Sequence, residues 1–273
     1  MTATDEPSGR AEDAHLSPQE IRRAGIAARG AMGPQRRAEA SREIAVRLLS
    51  LDELGPEPLE GERRADGQRP AGQQRPADQQ RRAVGQASSA GPGAPGDPGA
   101  QGEASAIARG TRRIAGYWPH GDEVDLRSAW DRLHQVGVHV HLPRVLDDPR
   151  VLDDTAMDFP RWSSGCDMEP NRWGIPEPTG VARAVGDMDV VVVPATAVDR
   201  AGHRVGMGAG YYDRALDPRL PPAAGNHPRP QRPLLVGVVF ECQLVDHIDA
   251  NRWDVPMDVV LTESSLLRFP GNR

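Results

Sequence analysis

Asp189-Val190-Val191-Val192-Val193-Pro194 is the stretch of sequence that decides the fold. Its consecutive valines are β-branched and place apolar groups on both faces of an extended chain. An apolar run that ends at a proline is typical of a strand buried on both faces, as in parallel sheets covered by helices. Residues 234–240 and 259–262 repeat this pattern. The sequence therefore predicts a parallel or mixed sheet.

The segments that precede this strand alternate between strand and helix patterns. Residues 113–118 and 138–142 are predicted strands, and Asp125 is expected to cap a helix between them. This alternation predicts an α/β fold with an open, mixed, mostly parallel sheet and helices on both faces, in a Rossmann-like three-layer arrangement. Ligands of such sheets bind beyond the carboxyl ends of the strands, here near Trp118 and Val193.

The N-terminal region of this domain is predicted to be helical. Residues 18–51 have helical periodicity, which Gly25 and Gly30 weaken in the first part. The helical pattern is clearer in the second part, where Ser41 is expected to cap the helix.

A long insertion is expected between this helical region and the first strand. Residues 57–106 are dominated by Gly, Pro, Gln and Arg, and their only large apolar residues are Leu59 and Val84. Such a stretch buries too little apolar surface to offset the entropy lost on ordering. An RNA-binding arm is the alternative, but acidic residues are interspersed and no aromatic residue is present to stack on bases. The expected organisation is a disordered N-terminus (1–15), a helical region (16–56), a disordered insertion (57–106) and the remainder of the domain (107–273).

Composition limits the partners that the chain can have. It carries 33 basic and 39 acidic residues, and every basic residue is Arg. A phosphate must therefore be held by guanidinium groups, backbone amides or a metal ion. The acidic balance argues against a nucleic-acid partner. The absence of a long apolar run and the polar first residues predict a cytoplasmic protein with no membrane partner, and two cysteines supply neither a disulfide framework nor a zinc site.

A glycine-rich loop follows the valine strand. Gly206, Gly208 and Gly210 would let backbone amides approach a ligand closely, and a short helix is predicted to begin at Tyr211. The amides at the start of that helix would face the same ligand, which suggests a phosphate site. The spacing matches neither the dinucleotide fingerprint nor a Walker loop, which needs a Lys. An ordinary tight connection is the alternative for this loop.

The residues on either side of the loop strengthen the phosphate interpretation. Arg204 offers a cation for phosphate oxygens, and Asp213 offers a carboxylate that can bind Mg²⁺. For Asp213, a structural role as a cap or in an ion pair with Arg214 is the alternative.

Residues 194–214 as a whole resemble the signature of the 5-formyltetrahydrofolate cyclo-ligase family, whose members are also called methenyltetrahydrofolate synthetases. The matching positions are Pro194, Asp199, Gly202, Arg204, Gly206, Gly208, Gly210, Tyr211, Tyr212, Asp213 and Arg214. Further similar stretches are residues 20–22, 117–119, 123–125, 142–144, 174–178 and 243–262. Apart from the insertion and the first residues, the resemblance covers nearly all of the chain.

The resemblance implies an activity. In that family, ATP and Mg²⁺ drive the conversion of 5-formyltetrahydrofolate to 5,10-methenyltetrahydrofolate, with release of ADP and phosphate. Phosphorylation of the formyl oxygen makes that oxygen a good leaving group, and N10 then closes the ring. The implied partner is this small folate, free or polyglutamylated, and the protein is expected to be a monomer.

The resemblance also implies a role for individual residues. It assigns Arg204, Tyr211 and Asp213 to catalysis, and Asp213 and Asp254 to the magnesium ion. The expected ATP contacts are Arg22, Arg204, Val205, Gly206, Met207, Gly208, Ala209, Gly210 and Tyr211. The expected folate contacts are Trp118, Glu123 and Trp173, since an aromatic ring can pack on a pterin and a carboxylate can accept its N–H donors.

Some positions depart from the family pattern. Pro18 stands where the family usually has a Lys, so one ATP contact is expected to be lost unless Arg22 or Arg23 replaces it. Met207 and Ala209 stand where larger or different residues are common.

Alternatives remain open for individual residues and for the function. Asp254 can be a solvated loop carboxylate, and Trp118 can pack at a strand edge. Tyr211 and Tyr212 are not expected to face one ligand together. Two alternative functions are a nucleotide-dependent ligase or phosphotransferase for another substrate, and a non-catalytic relative with an Arg-rich interaction arm.

Overall fold

The computed structural model describes residues 16–54, 112–146, 157–217 and 232–272. The predicted disorder of residues 1–15 and 57–106 lies outside these ranges. Within them the helices are α1 (Pro18–Ala31), α2 (Pro34–Leu49), α3 (Arg127–Gln135) and α4 (Tyr211–Ala215). The strands are β1 (Arg113–Ala115), β2 (His139–His141), β3 (Arg144–Val145), β4 (Met157–Trp162), β5 (Met168–Pro170), β6 (Pro176–Pro178), β7 (Ala182–Arg183), β8 (Val190–Pro194), β9 (Ala197–Asp199), β10 (Arg204–Val205), β11 (Leu234–Val238), β12 (Leu244–Val245), β13 (Val259–Leu261) and β14 (Leu266–Arg268).

The valine run forms β8, a central strand of the largest sheet. The strand order is β14-β13-β11-β8-β1-β2-β4-β3, and β7 pairs with β4. The strands from β13 to β2 are parallel, whereas β14 and β4 run antiparallel to their neighbours. A smaller sheet has the order β10-β9-β12, and β5 and β6 form an antiparallel hairpin.

Both faces of β8 are buried, as the valines predict. Val190 and Val192 pack in the core cluster that contains residues of α2 and α3. Val191 and Val193 point to the opposite face, where Tyr212 of α4 packs against them. The predicted α/β class with a mostly parallel sheet is confirmed. On the second face, the short helix α4 packs against the sheet together with strands and loops of the described residues.

The N-terminal helical region consists of two helices. The Ser17 side chain caps α1 and forms a reciprocal capping box with Glu20. The prediction that Ser41 caps a helix is wrong, because Pro34 starts α2 and Ser41 lies inside it. Its buried hydroxyl instead accepts a hydrogen bond from Asp125 N, 3.1 Å away, and ties α2 to the loop before α3.

The side chain of His141 is more buried than the sequence pattern predicts. Its alternation with apolar residues predicts an exposed or partly covered strand face, yet its side chain is 2% exposed. The reason is that His141 pairs in register with Ala115, which belongs to the second core cluster together with Phe159, so this face of β2 is covered. The Nδ1 atom lies 2.8 Å from Phe159 O. Burial lowers the pKa of His141 to about 4.

No helix in the described part of the chain is long and apolar enough to cross a membrane.

Candidate active site

A cavity of about 890 Å³ opens beyond the carboxyl ends of β1 and β8. This is the edge of the sheet at which the sequence predicts a ligand. The residues that line it include every predicted site residue: Arg22, Trp118, Glu123, Trp173, Arg204, Val205, Gly206, Met207, Gly208, Ala209, Gly210, Tyr211, Asp213 and Asp254. Residues far apart in sequence are therefore brought to one site.

The glycine loop forms one wall of this cavity between β10 and α4. Gly208 and Gly210 have φ angles of +100° and +70°, which residues with a Cβ rarely adopt. The base of the loop is fixed by Thr196, whose N–H and hydroxyl both donate to Val205 O, at 2.8 and 2.7 Å. Because α4 has only five residues, the dipole expected at its start is small, and a predicted anion would depend mainly on the loop amides.

Helix α1 brings Arg22 against the glycine loop. Arg22 Nε donates to Gly206 O at 2.7 Å, and the guanidinium lies where a Cβ of residue 208 would come within 3.2 Å of it. Pro18 lies one helical turn before Arg22 and also lines the cavity, so a Lys at this position would face the site. Of the two arginines expected to replace this Lys, Arg22 lines the cavity, whereas Arg23 is exposed and is not a lining residue.

Arg204 makes contacts that differ from a simple phosphate ligand. Its side chain is only 4% exposed, and Nη2 donates to Asp213 Oδ1 at 2.5 Å. Nη1 donates to the carbonyl of Val255. The alternative predicted for Asp213 is an ion pair with Arg214, whereas the ion pair in the structure is with Arg204. The guanidinium joins the segment that carries Asp213 to the segment that carries Asp254.

Asp254 lies in a turn at the rim of the same cavity. Its Oδ2 accepts hydrogen bonds from the Asn251 backbone N–H at 2.7 Å and from Asn251 Nδ2 at 3.3 Å. In the described ranges, no group of three or more His, Cys, Asp or Glu side chains could hold a metal ion. A divalent ion at Asp213 and Asp254 would therefore need further oxygen ligands from a bound molecule.

Trp118 and Glu123 line the same cavity. Trp118 packs partly against the core, so edge packing and cavity lining occur together. The Arg127 guanidinium lies 5.5 Å from the centre of its ring. Glu123 Oε2 accepts a hydrogen bond from His120 N at 3.0 Å. Burial raises the pKa of Glu123 despite this bond.

The tip of the β5–β6 hairpin reaches α4 across the cavity. The Trp173 and Tyr211 rings meet edge to face with centroids 5.8 Å apart. Arg172 stacks on Trp173 at 4.2 Å and donates from Nη2 to Tyr211 Oη at 2.7 Å. The sequence reasoning missed Arg172, because no motif marks it and only the fold brings it near Tyr211.

Both paired tyrosines line the cavity, which the sequence reasoning did not expect. Tyr212 also packs against the core, and its hydroxyl is buried without a hydrogen-bond partner among the described residues. Burial raises the pKa of Tyr212 above its ordinary value, so this hydroxyl stays protonated.

Comparisons with known proteins agree with this geometry. A protein of Mycolicibacterium smegmatis named 5-formyltetrahydrofolate cyclo-ligase is 32% identical over 154 residues, which are 55% of this chain and 73% of that protein. The Escherichia coli K12 protein of the same name is 29% identical over 156 residues, which are 56% of this chain and 79% of that protein.

Solved structures share the fold. The NMR structure of Aquifex aeolicus 5,10-methenyltetrahydrofolate synthetase has a TM-score of 0.59 and 22% sequence identity, and it covers 93% of this chain and 94% of that chain. At this level of identity the likeness concerns the fold alone. The family model described as the 5-formyltetrahydrofolate cyclo-ligase family matches residues 100–263, which include the cavity residues from Trp118 to Asp254. Because this match spans more than half of the sequence, the chain belongs to the 5-formyltetrahydrofolate cyclo-ligase family.

Proposed function

We propose that this protein converts 5-formyltetrahydrofolate to 5,10-methenyltetrahydrofolate, consuming ATP in the presence of Mg²⁺ and releasing ADP and phosphate. The observation that carries the proposal is one cavity of about 890 Å³ that is lined by a glycine loop, by the aromatic ring of Trp118 and by the half-buried carboxylate of Glu123. This volume lies within the range of small-molecule sites. Membership of the family supports the same reaction.

The nucleotide end is assigned to the glycine loop and Arg22. The loop offers amides next to Gly208 and Gly210 with no side chain between them and a ligand. Arg22 uses Nε to hold the loop at Gly206, and its Nη groups face no acceptor among the described residues. They are therefore available to phosphate oxygens.

The residues present fit a magnesium ion. Mg²⁺ binds to one or two protein carboxylates together with substrate phosphates, and Asp213 and Asp254 offer such a pair on one cavity. When bound, the ion would neutralise charge on the phosphates. The protein carboxylates would hold it beside the glycine loop.

The folate end is assigned to Trp118 and Glu123, with Trp173 at the cavity mouth. The Trp118 ring provides a flat surface for a pterin, and the Glu123 carboxylate can accept its N–H groups. The Glu123 carboxylate lies close enough to Tyr212 to raise the pKa of its hydroxyl, so both groups belong to the same part of the cavity.

The reaction needs positioning more than covalent help from the protein. The formyl oxygen attacks the γ-phosphorus, the bond from that phosphorus to ADP breaks, and a phosphorylated formyl group forms. N10 then bonds to the formyl carbon, the carbon–oxygen bond breaks, and phosphate leaves as N10 loses its proton. The chain contributes by holding both reactants in one cavity and by placing cations near the phosphates.

An absorbance assay tests the proposal. Closing the methenyl bridge extends conjugation, so purified protein with Mg²⁺, ATP and 5-formyltetrahydrofolate should produce a new long-wavelength band. The band should be absent without ATP, and Asp213→Asn should reduce its rate severely without unfolding the protein. A flat trace from folded protein that binds ATP would refute the proposal and favour another substrate.

A further inference from the structure

Arg204 stands out because its cation is buried against protein acceptors. Its side chain is 4% exposed, and its two terminal nitrogens donate in different directions, to Asp213 Oδ1 and to Val255 O. A buried guanidinium is stable only where its charge is paired and its N–H groups are bonded, and both conditions are met here. The resemblance assigns this residue to ATP phosphates, whereas its observed bonds are internal.

The two acceptors belong to segments that each carry a cavity carboxylate. Asp213 lies on α4, and Val255 follows Asp254 in the turn that begins at Asn251. Asp213 and Asp254 line the same cavity, so their negative charges repel each other. Arg204 supplies a positive charge bonded to both segments, and its two terminal nitrogens reach acceptors that lie in different directions.

The arrangement also leaves oxygens for a metal ion. Arg204 occupies Oδ1 of Asp213, while Oδ2 accepts no hydrogen bond from another described residue. Asp254 is fixed through its Oδ2 by Asn251. Each carboxylate is therefore held by one oxygen, and its second oxygen is open to a cation.

We propose that Arg204 is a positioning residue, which sets the spacing and orientation of Asp213 and Asp254 for the divalent ion and does not itself bind the nucleotide phosphates. This inference rests on the proposed function. It assigns the phosphate contact to Arg22 and the amides of the glycine loop.

The test is a matched pair of charge-conserving variants, Arg204→Lys and Arg22→Lys. The affinity for ATP is measured by calorimetry with a chelator present, and the affinity for Mn²⁺ is measured by electron paramagnetic resonance in the ADP complex. In Arg204→Lys, the Mn²⁺ dissociation constant should rise about tenfold, as for other residues that orient metal ligands, with metal-free ATP affinity unchanged. Arg22→Lys should weaken metal-free ATP binding and leave Mn²⁺ affinity unchanged in the ADP complex.

Weaker metal-free ATP binding in Arg204→Lys with normal Mn²⁺ affinity would overturn the proposal, and so would no change in either affinity. If Arg204→Lys fails to fold, a crystal structure of the wild-type protein with ADP and Mn²⁺ decides. Bonds from Arg204 to Asp213 and Val255 support the proposal, and bonds to phosphate oxygens refute it. A wild-type protein that binds ADP and Mn²⁺ in this way but forms no methenyl product would refute the proposed reaction alone.

Discussion

Gly25→Ala tests how α1 is docked beside the cavity. A Cβ on residue 25 would lie 1.9 Å from Thr196 O and 2.9 Å from Thr196 C. An ordinary carbon–oxygen contact is about 3.3 Å, so the helix or the strand connection must move by about 1.4 Å. The carbonyl cannot turn away freely, since it accepts a hydrogen bond of 2.8 Å from the buried Gln243 Nε2.

The expected cost combines two opposing effects. Overpacking against a backbone atom costs about 3 kcal/mol, because neither neighbour is a flexible side-chain end. Replacing Gly by Ala inside a helix gains about 1 kcal/mol. The free energy of unfolding of Gly25→Ala should therefore fall by about 2 kcal/mol.

Gly30→Ala is the matched control on the same helix. Its nearest neighbour would be Asp122 Oδ2 at 3.9 Å, an ordinary contact, so only the helix gain of about 1 kcal/mol remains. Urea unfolding followed by tryptophan fluorescence measures both variants against wild type. Because α1 also carries Arg22, Gly25→Ala should raise the KM for ATP, and Gly30→Ala should not. Equal shifts of the two variants in the same direction would refute the close-packing argument.

Three further predictions concern titration and burial. Burial lowers the pKa of His141 from 6.5 to about 4, so protonation favours the unfolded state, and the free energy of unfolding should fall by at most about 3 kcal/mol as the pH drops from about 6.5 to about 4. His141→Leu should reduce this dependence of the unfolding free energy on pH, as measured by urea titrations. Burial raises the pKa of Glu123, so the KM for 5-formyltetrahydrofolate should rise as the pH falls and the carboxylate becomes protonated. In initial-rate assays, Glu123→Gln should raise this KM at neutral pH and remove the dependence of KM on pH. Asp258 accepts bonds from Arg232 and from Leu235 N, so Asp258→Asn should lower the free energy of unfolding by about 2 kcal/mol in urea and leave KM values unchanged.

The local sequence pattern predicts a structural feature correctly where a single physical cause determines that feature. The valine run places no polar side chain on either face of β8, so both faces of this strand are buried. The glycine loop was predictable for the same reason, because positive φ angles at Gly208 and Gly210 require glycine at those positions. From these two features the sequence predicts both the sheet and the edge at which the cavity opens.

Local pattern failed where distant segments decide the environment. Alternation around His141 cannot show whether its face of the strand is covered, and here that face carries the second core cluster, which includes Ala115 and Phe159. Ser41 has the chemistry of a cap, but Pro34 starts the helix earlier and leaves the hydroxyl to bond Asp125 N. Likewise, the sequence places Arg204 beside the loop but does not reveal Val255 as its second acceptor.

The contacts of the Arg22 guanidinium show how this chain can do without a Lys beside the glycine loop. Its Nε holds the glycine loop at Gly206 O, and its planar group lies against Gly208, where any Cβ would intrude. The remaining Nη groups are directed to no acceptor in the described chain, so they can meet phosphate. A Lys ammonium is a single point charge and could serve the loop or the phosphate, but its one nitrogen could not span both positions. Under the proposed function, Arg22 would both fix the loop and supply the charge with one side chain, so Pro18 is expected to be tolerated at the neighbouring turn.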